Sequence, residues 1–197
     1  SVIINPLKRN LPKKYNTLCA TSLTYFFIKY LVKKLNSKKK IDINKYLFFS
    51  AIATICDQMP LRDYNKKIVI KGLRNFDLNK FYNFKKLIKI NRKLSSTDIS
   101  FILGPIMNSA SRIGYSDLPF KLLIEKKGNV MDRIISRLIN LNEKRKKIQS
   151  KTINLLKINL DEIKNQVIFK YVENINEGLL GIIASNFVEI YNRPSFI

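Results

Sequence analysis

The 197-residue sequence contains no histidine. Within this segment that absence excludes imidazole acid–base catalysis, Ser-His-Asp triads and histidine metal clusters. Cysteine is nearly as scarce. Cys19 and Cys56 are isolated, with no C-x-x-C pair, so neither a zinc site nor a disulfide framework is indicated. Two reduced, buried thiols are the simpler reading and fit a reducing cytoplasm. Long apolar runs are missing too. Leu31-Val32 with its upstream aromatics, interrupted by Lys29, and Tyr46–Cys56 both fall short of the ~20 residues that a bilayer span needs. Lys8, Arg9, Lys13 and Lys14 lead into no apolar core and cleavage site, so no signal peptide is read. A chain opening at Ser1 without Met reads as truncated or processed.

Acidic residues are few. Against 37 Lys and Arg stand 14 Asp and Glu, a formal net charge of +23. Such an excess points to a polyanionic partner, nucleic acid first and an anionic membrane surface second. The chain is also saturated with Lys, Asn and Ile, which an AT-rich genome favours, so the charge is either a binding footprint or a drifted, solvated surface. Hydrophobic residues make up 46%, ample for a core. The length allows one large domain or parts of two.

The periodicity is mostly helical. Thr17 is placed to cap a helix through about Leu35, with Leu23, Phe26, Phe27, Tyr30 and Leu31 as its apolar face. Lys38-Lys39-Lys40 reads as a basic loop. A second, nearly all-apolar helix from about Asn44 to Ile55 is expected to be buried and to end at Pro60. Further helices are expected over Tyr64–Asn75 and near Phe84–Asn91. Ser95-x-x-Asp98 resembles a capping box, opening a helix that Gly104-Pro105 should break after Leu103. A short helix follows Pro119, with Phe120, Leu122 and Leu123 as its apolar positions. The longest periodic segment, Asn129–Leu160, carries Met131, Ile134, Leu138, Leu141, Ile148, Thr152, Leu155 and Ile158 at three- and four-residue steps. Its polar middle, Asn142 to Lys151, is expected to be exposed, as in a helix bridging two domains. Val167, Phe169 and Tyr171 then alternate as a strand, Gly178–Tyr191 returns to helix, and Ser195-Phe196-Ile197 starts another strand.

Three phrases hold chemistry. In Ala53–Leu61 (ATICDQMPL), Asp57 follows a buried helix end, where the dipole offers a carboxylate no stabilisation. It either caps the next turn or holds a hard divalent cation. In Gly104–Gly114 (GPIMNSASRIG), small residues around Asn108 and Arg112 permit close backbone approach, and the Arg112 fork suits a phosphate. The alternative pairs Arg112 with an acid such as Asp117, the small residues serving helix packing. In Asn176–Pro194 (NEGLLGIIASNFVEIYNRP), Gly178 and Gly181 open a helix whose free N–H groups suit a phosphate, or they serve close helix–strand packing. Lys80, Phe81, Tyr82, Phe84, Lys85 and Lys86 offer a base-stacking clamp. An amphipathic helix with inward aromatics is the preferred reading there.

In this order, and beginning at Ile4-Asn5-Pro6, the phrases resemble the RecJ family of the DHH phosphoesterase superfamily. The resemblance implies an α/β fold. Residues 1–127 would be the C-terminal part of a DHH domain, 128–164 a connecting helix and 165–197 the start of a DHHA1 domain. It implies a fragment of a metal-dependent, single-stranded-DNA-specific 5′→3′ exonuclease of DNA repair and recombination. The cofactor would be Mn²⁺ or Mg²⁺ in a two-metal site whose other ligands lie outside this segment, leaving the segment alone inactive. Single-stranded DNA would be the partner, the protein a cytoplasmic monomer, with repair or single-strand-binding proteins as further partners. Asp57 would be a metal ligand and catalytic residue, Arg112 a catalytic and substrate-binding residue, and Asn108, Asn176 and Gly178 substrate-binding. Four departures stand out. Ile106 replaces an arginine of the family phrase, Ser111 a glycine, Asn176 a histidine, and Glu177 a common proline. Two other readings are carried alongside: a DHH–DHHA1 phosphodiesterase for oligoribonucleotides or cyclic dinucleotides, and a degenerate protein that binds nucleic acid without cleaving it.

Overall fold

The computed structural model describes residues 3–7, 12–35, 42–77, 81–88, 90, 92–156, 158–159 and 165–197. The expected basic loop Lys38-Lys39-Lys40, Lys80 of the aromatic cluster, and the ends expected at Asn91, Leu160 and Lys164 lie outside these residues. The chain forms two compact units, Ser1–Gly104 and Pro105–Ile197.

The first unit is helical. α1 (Ala20–Lys34), α2 (Leu47–Cys56), α3 (Asp63–Arg74) and α4 (Tyr82–Ile88) precede the one-turn helix α5 (Ser96–Asp98) and a π-helical stretch, Ile99–Leu103. α2 is the central element, with Phe48, Ser50, Ala51, Thr54 and Ile55 buried. α3 lies close against it because Gly72 has no side chain: a Cβ there would sit 2.7 Å from the Ala51 Cβ. Phe48, Phe49, Phe76, Phe81 and Phe84 form one aromatic cluster, with Phe48 and Phe76 stacked at 3.5 Å between centroids. Phe84 is buried while Tyr82 faces outward under the Lys86 ammonium, 4.7 Å from its ring centroid. The inward-aromatic reading therefore holds for Phe84. Burying a ring of this kind contributes about 1.5–3 kcal/mol, more than an exposed cation–π contact returns.

Three expectations for this unit are corrected. Thr17 does not cap α1: the N-cap is Cys19, and the Thr17 hydroxyl and carbonyl instead receive the Asn65 amide. The buried face of α1 is Ser22 and Tyr25, leaving Phe27 and Tyr30 exposed. The small Ser22 and Thr54 hydroxyls meet at 3.5 Å with the Cys19 thiol beside them, while Leu23 and Phe26 of the expected face pack, partly buried, on the cluster of Leu18, Ala51 and Ile68. α2 ends before Pro60, in a turn described below.

The capping box at Ser95 is present: its hydroxyl accepts from the Asp98 N–H at 3.2 Å, and the Asp98 carboxylate accepts from the Ser95 N–H at 2.8 Å. Gly104-Pro105 does not break the helix, which continues as α6 (Gly104–Arg112). In a regular α-helix a proline loses its hydrogen bond and its ring strikes the carbonyl four residues back. The wider π turn immediately before Pro105 takes up that misfit.

In the second unit α6 is followed by α7 (Leu118–Ile124), α8 (Gly128–Leu155), β1 (Ile168–Phe169), a 3₁₀ turn (Glu177–Leu179), α9 (Leu180–Tyr191) and β2 (Ser195–Phe196). β1 and β2 pair in parallel, Ile168 with Ser195 and Phe169 with Phe196. The strand phase is opposite to expectation. Ile168 points into the core with Leu179, Ile183 and Phe187, whereas Phe169 and Tyr171 are exposed and Phe169 stacks on Phe196. α7 buries Leu118 and Leu122 and leaves Phe120 exposed. α8 buries Met131, Ile135, Leu138, Leu141, Asn142 and Thr152; Leu155 is exposed and Ile148 packs on the β1–α9 core. Its polar middle is not wholly exposed, because Asn142 is buried and Arg145 and Gln149 are half-buried. The chain is thus mostly helical with a small parallel sheet, as part of an α/β domain would be. Among the described residues no helix is long and apolar enough to cross a membrane.

Asp98 supplies a pH test of this fold. Arg92 grips its buried carboxylate at 2.7 Å through both terminal nitrogens, and the Ser95 hydroxyl adds a bond at 2.6 Å. These donors hold the Asp98 carboxyl far below the usual carboxylate range, Arg92 contributing most. A depressed folded-state value means the stabilisation is complete above the unfolded carboxyl value of about 4 and is lost as pH falls below it. Thermal unfolding of Asp98→Asn should show a lower Tm at pH 7, with the gap to the wild type closing as pH drops from about 4 toward 2. A gap independent of pH would contradict the ion-pair account.

Candidate functional site

Asp57 is the C-cap of α2, and its carboxylate is exposed. The turn that carries it is closed by two backbone bonds, Gln58 N–H to the Ile55 carbonyl at 3.1 Å and Met59 N–H to the Thr54 carbonyl at 3.0 Å. This is a Schellman termination, normally built on glycine, yet here Gln58 takes the left-handed conformation at φ 52°. The turn is then tied down from α3. The fully buried Asn65 amide donates to the Pro60 carbonyl at 3.0 Å and to the Thr17 carbonyl at 2.8 Å. Asn65 went unnoticed in the sequence; the signal was a polar residue in step with Ile68, Val69 and Gly72 on the buried face of α3. Beside Asp57 the half-buried Cys56 thiol is pushed up, by burial first and by the Asp57 charge second.

A metal pair needs several oxygen or nitrogen donors around it. Among the described residues no group of three or more His, Cys, Asp or Glu could hold a metal ion. Asp57 alone does not fit a two-metal centre.

The second phrase lies on α6. Ile106, Ser109 and Ala110 are buried, and the Ser109 hydroxyl bonds the Ile106 carbonyl at 2.7 Å. Asn108 and Ser111 face outward. Ile106 is therefore a core residue rather than a lost surface charge. Arg112 does not pair with Asp117, which pairs with Lys121 instead. Its terminal nitrogen reaches the Gly178 carbonyl at 2.7 Å. Gly178 is glycine for a steric reason: a Cβ would lie 2.9 Å from the Arg112 Cα and 3.0 Å from the Arg112 carbonyl oxygen. The Asn176 side chain caps the 3₁₀ turn, its oxygen accepting from the Gly178 N–H at 2.9 Å. One turn on, Gly181 is different. A Cβ there would meet nothing within 4 Å, so packing does not require this glycine.

The second unit thus brings together Arg112, Asn176 and Gly178, with Asn108 one turn earlier on α6. Arg145 on α8 was not foreseen. It is half-buried, and burial together with the nearby Arg112 charge pulls it below the ordinary arginine value, Glu143 opposing. The signal lay in the Asn142–Gln149 stretch, where Asn142, Arg145 and Gln149 share a helix face. The first unit has an apolar cavity of about 370 Å³ whose lining includes Thr21, Tyr25, Ile28, Tyr46, Phe49 and Ser50. Asp57 is not among its lining residues.

No family model matches the chain. The "Single-stranded-DNA-specific exonuclease RecJ" of Bacillus subtilis is 26% identical over 160 residues, 78% of this chain and 20% of that protein. The Escherichia coli protein of the same name is 26% identical over 213 residues, 98% of this chain and 37% of that protein. The crystal structure of Thermus thermophilus RecJ in complex with Mn²⁺ superposes with a TM-score of 0.82 at 22% identity, over 96% of this chain and 28% of that one. A second structure, exonuclease RecJ bound to manganese, gives a TM-score of 0.78 at 21% identity over 96% of this chain and 48% of that one. The chain is RecJ-like. The RecJ resemblance seen in its three phrases is matched in sequence and in fold, while the chain spans 20% to 37% of the length of these curated RecJ relatives.

Two substitutions probe this geometry. Gln58→Gly should stabilise the chain by about 1 kcal/mol, read by denaturant unfolding, since it relieves a left-handed non-glycine residue. Gly178→Ala should cost about 1–3 kcal/mol, because the obstructing atoms are backbone and cannot rotate away.

Proposed function

We infer that this chain is the segment of a RecJ-like single-stranded-DNA exonuclease that lines the path of the substrate backbone and supplies one ligand to the catalytic metals. The observation that carries it is the Arg112–Gly178 contact. It brings two of the RecJ-like phrases, 66 positions apart in sequence, to one place in the second unit. Residues 1–127 are assigned to the end of the DHH domain, 128–164 to the connecting helix and 165–197 to the start of DHHA1.

Roles follow from the chemistry of each side chain. The Arg112 guanidinium uses one N–H on Gly178 and retains others for a phosphate oxygen. Asn108, exposed on the same helix, offers an amide to the strand. The open side of Gly181 lets the strand come close to the backbone, while Gly178, packed against Arg112, serves the strand by fixing the guanidinium. Asn176 holds the loop entering α9. Asp57, exposed on a constrained turn, is proposed as one carboxylate of a Mn²⁺ or Mg²⁺ site; the metals, when held by the complete ligand set, would activate water for phosphodiester hydrolysis. The net charge of +23 favours encounter with single-stranded DNA and makes binding fall with salt. The 5′→3′ polarity and a role in repair and recombination are part of this reading by resemblance.

A second reading, a RecJ-like protein that binds without cleaving, is favoured by Ile106 and Asn176. The former is committed to the core and the latter's side-chain oxygen to capping, so neither supplies the cation of the family phrase.

The deciding experiment is Mn²⁺-dependent digestion of 5′-labelled single-stranded DNA by the complete gene product beside its Asp57→Ala variant. Nucleotide release from the 5′ end is expected, reduced on the order of 100-fold or more in the variant. No release by the wild type, with salt-sensitive binding intact, would establish the non-cleaving reading.

A further inference from the structure

Two tyrosine rings meet in the first unit at the base of the turn that carries Asp57. Tyr15 ends a 3₁₀ turn, Lys13–Tyr15, and Tyr64 stands in the first turn of α3. The rings are stacked, 5.1 Å between centroids and 14° between planes, and Phe26 of α1 stands edge-on to Tyr64 at 6.0 Å. Both tyrosines pack on the cluster of Leu18, Ala51 and Ile68, yet both are only half-buried, so part of each stays open to solvent. Their place relative to Asp57 is set by Asn65, the residue after Tyr64. Its amide bonds the Thr17 carbonyl on the Tyr15 side and the Pro60 carbonyl on the Asp57 side.

The charges around the rings are of one sign. The Lys14 ammonium lies 5.5 Å from the Tyr15 centroid and 5.7 Å from that of Tyr64, and the Lys67 ammonium lies 5.9 Å from the Tyr64 centroid. Lys13, Arg62 and Lys66, their neighbours in the chain, are exposed as well. No Asp or Glu precedes Asp42, and Asp63 is the only one between Asp57 and Asp77. Among the described residues neither Lys14 nor Lys67 pairs with a carboxylate. Packing accounts for where the rings sit, but not for the cations laid over them, since an exposed cation–π contact contributes little by itself. Half-open aromatic rings flanked by unpaired ammonium groups suit a single strand, whose bases stack on rings while its phosphates meet the cations.

We propose that Tyr15 and Tyr64, with Lys14 and Lys67, form a stacking ledge for a base of a single-stranded nucleic acid. This rests on the reading of the chain as part of a single-stranded-DNA exonuclease and adds a contact of a different kind. The ledge takes a base and lies in the first unit, whereas the phosphate contacts assigned above lie in the second. Every base has a π-face, so the ledge is indifferent to sequence. Because Asn65 joins ledge and turn, a base stacked there holds the strand beside Asp57.

The test uses the 197-residue chain, with labelled oligodeoxythymidylate and an abasic strand of the same length and charge, followed by fluorescence anisotropy against salt. The compared proteins are wild type, Tyr64→Leu, Tyr64→Phe, Lys67→Gln, Arg112→Gln and, as a control, Tyr30→Leu. Tyr30 is an exposed ring with the Lys34 ammonium 5.9 Å from its centroid and no stacked neighbour among the described residues. Wild type is expected to prefer the thymidylate strand. Tyr64→Leu should weaken thymidylate binding about 5-fold or more and leave abasic binding unchanged. Tyr64→Phe, which keeps the ring, should bind like wild type, as should Tyr30→Leu. Lys67→Gln should weaken both strands and lower the salt slope by about 0.7, one phosphate's worth. The chain has no tryptophan, so tyrosine emission gives a readout that needs no variant. Thymidylate should quench it and the abasic strand should not.

Equal wild-type affinity and equal quenching for the two strands would overturn the ledge. So would a Tyr64→Leu variant that loses both strands alike, which would make Tyr64 a structural residue, or one that binds both as Tyr30→Leu does. In any of these cases, weakened binding by Arg112→Gln would leave the phosphate contacts of the second unit standing. Absence of single-strand binding by the wild type would sink both readings.

Discussion

Where Gly178 meets Arg112, two stretches of backbone touch with no room for a side chain. A Cβ would be 2.9 Å from the Arg112 Cα, so the absence of one methyl group sets how near the start of α9 comes to the end of α6. At that separation the Arg112 guanidinium reaches the Gly178 carbonyl, and the Asn176 oxygen reaches the Gly178 N–H. Both polar groups of one peptide-bonded residue are thereby satisfied by side chains. The guanidinium is fixed in direction as a by-product of the packing, and the remaining donors of Arg112 follow from it.

The Asp57 turn is held by a different kind of constraint. A buried amide, Asn65, ties the Pro60 and Thr17 carbonyls together, and a left-handed glutamine reverses the chain after α2. Hydrogen bonds to a fully buried amide are costly to break, so a turn that is exposed at Asp57 is rigid at its base. A carboxylate on a rigid turn loses little conformational entropy when it takes a ligand, which is the state a metal-binding residue needs.

The electrostatics divide in the same way. Much of the +23 charge is carried by exposed lysines, several laid over tyrosine rings. Arg92 is spent on Asp98, within the fold. Among the described residues Arg112 and Arg145 are held by neutral acceptors, the Gly178 carbonyl and the Asn142 and Gln149 side-chain oxygens.

What the chain alone determined is the local structure. The capping box at Ser95 and Asp98, the bounds of α3 to within a residue, and the helix after Pro119 were all legible, because each is settled within one or two turns of backbone. The three RecJ-like phrases were legible too, since glycine, proline and lone polar residues mark places that core packing would not choose. Asp57, Asn108, Arg112, Asn176 and Gly178 could be named, but their partners could not. Whether Arg112 faces Asp117 or Gly178 is decided by contacts across 66 positions, and sequence spacing carries no distance over that range. For the same reason the inward face of α1, the phase of β1, the survival of the helix through Pro105 and the roles of Asn65 and Arg145 belonged to the tertiary structure. A helix or strand specifies which residues share a face. Only the surface packed against it decides which face turns inward.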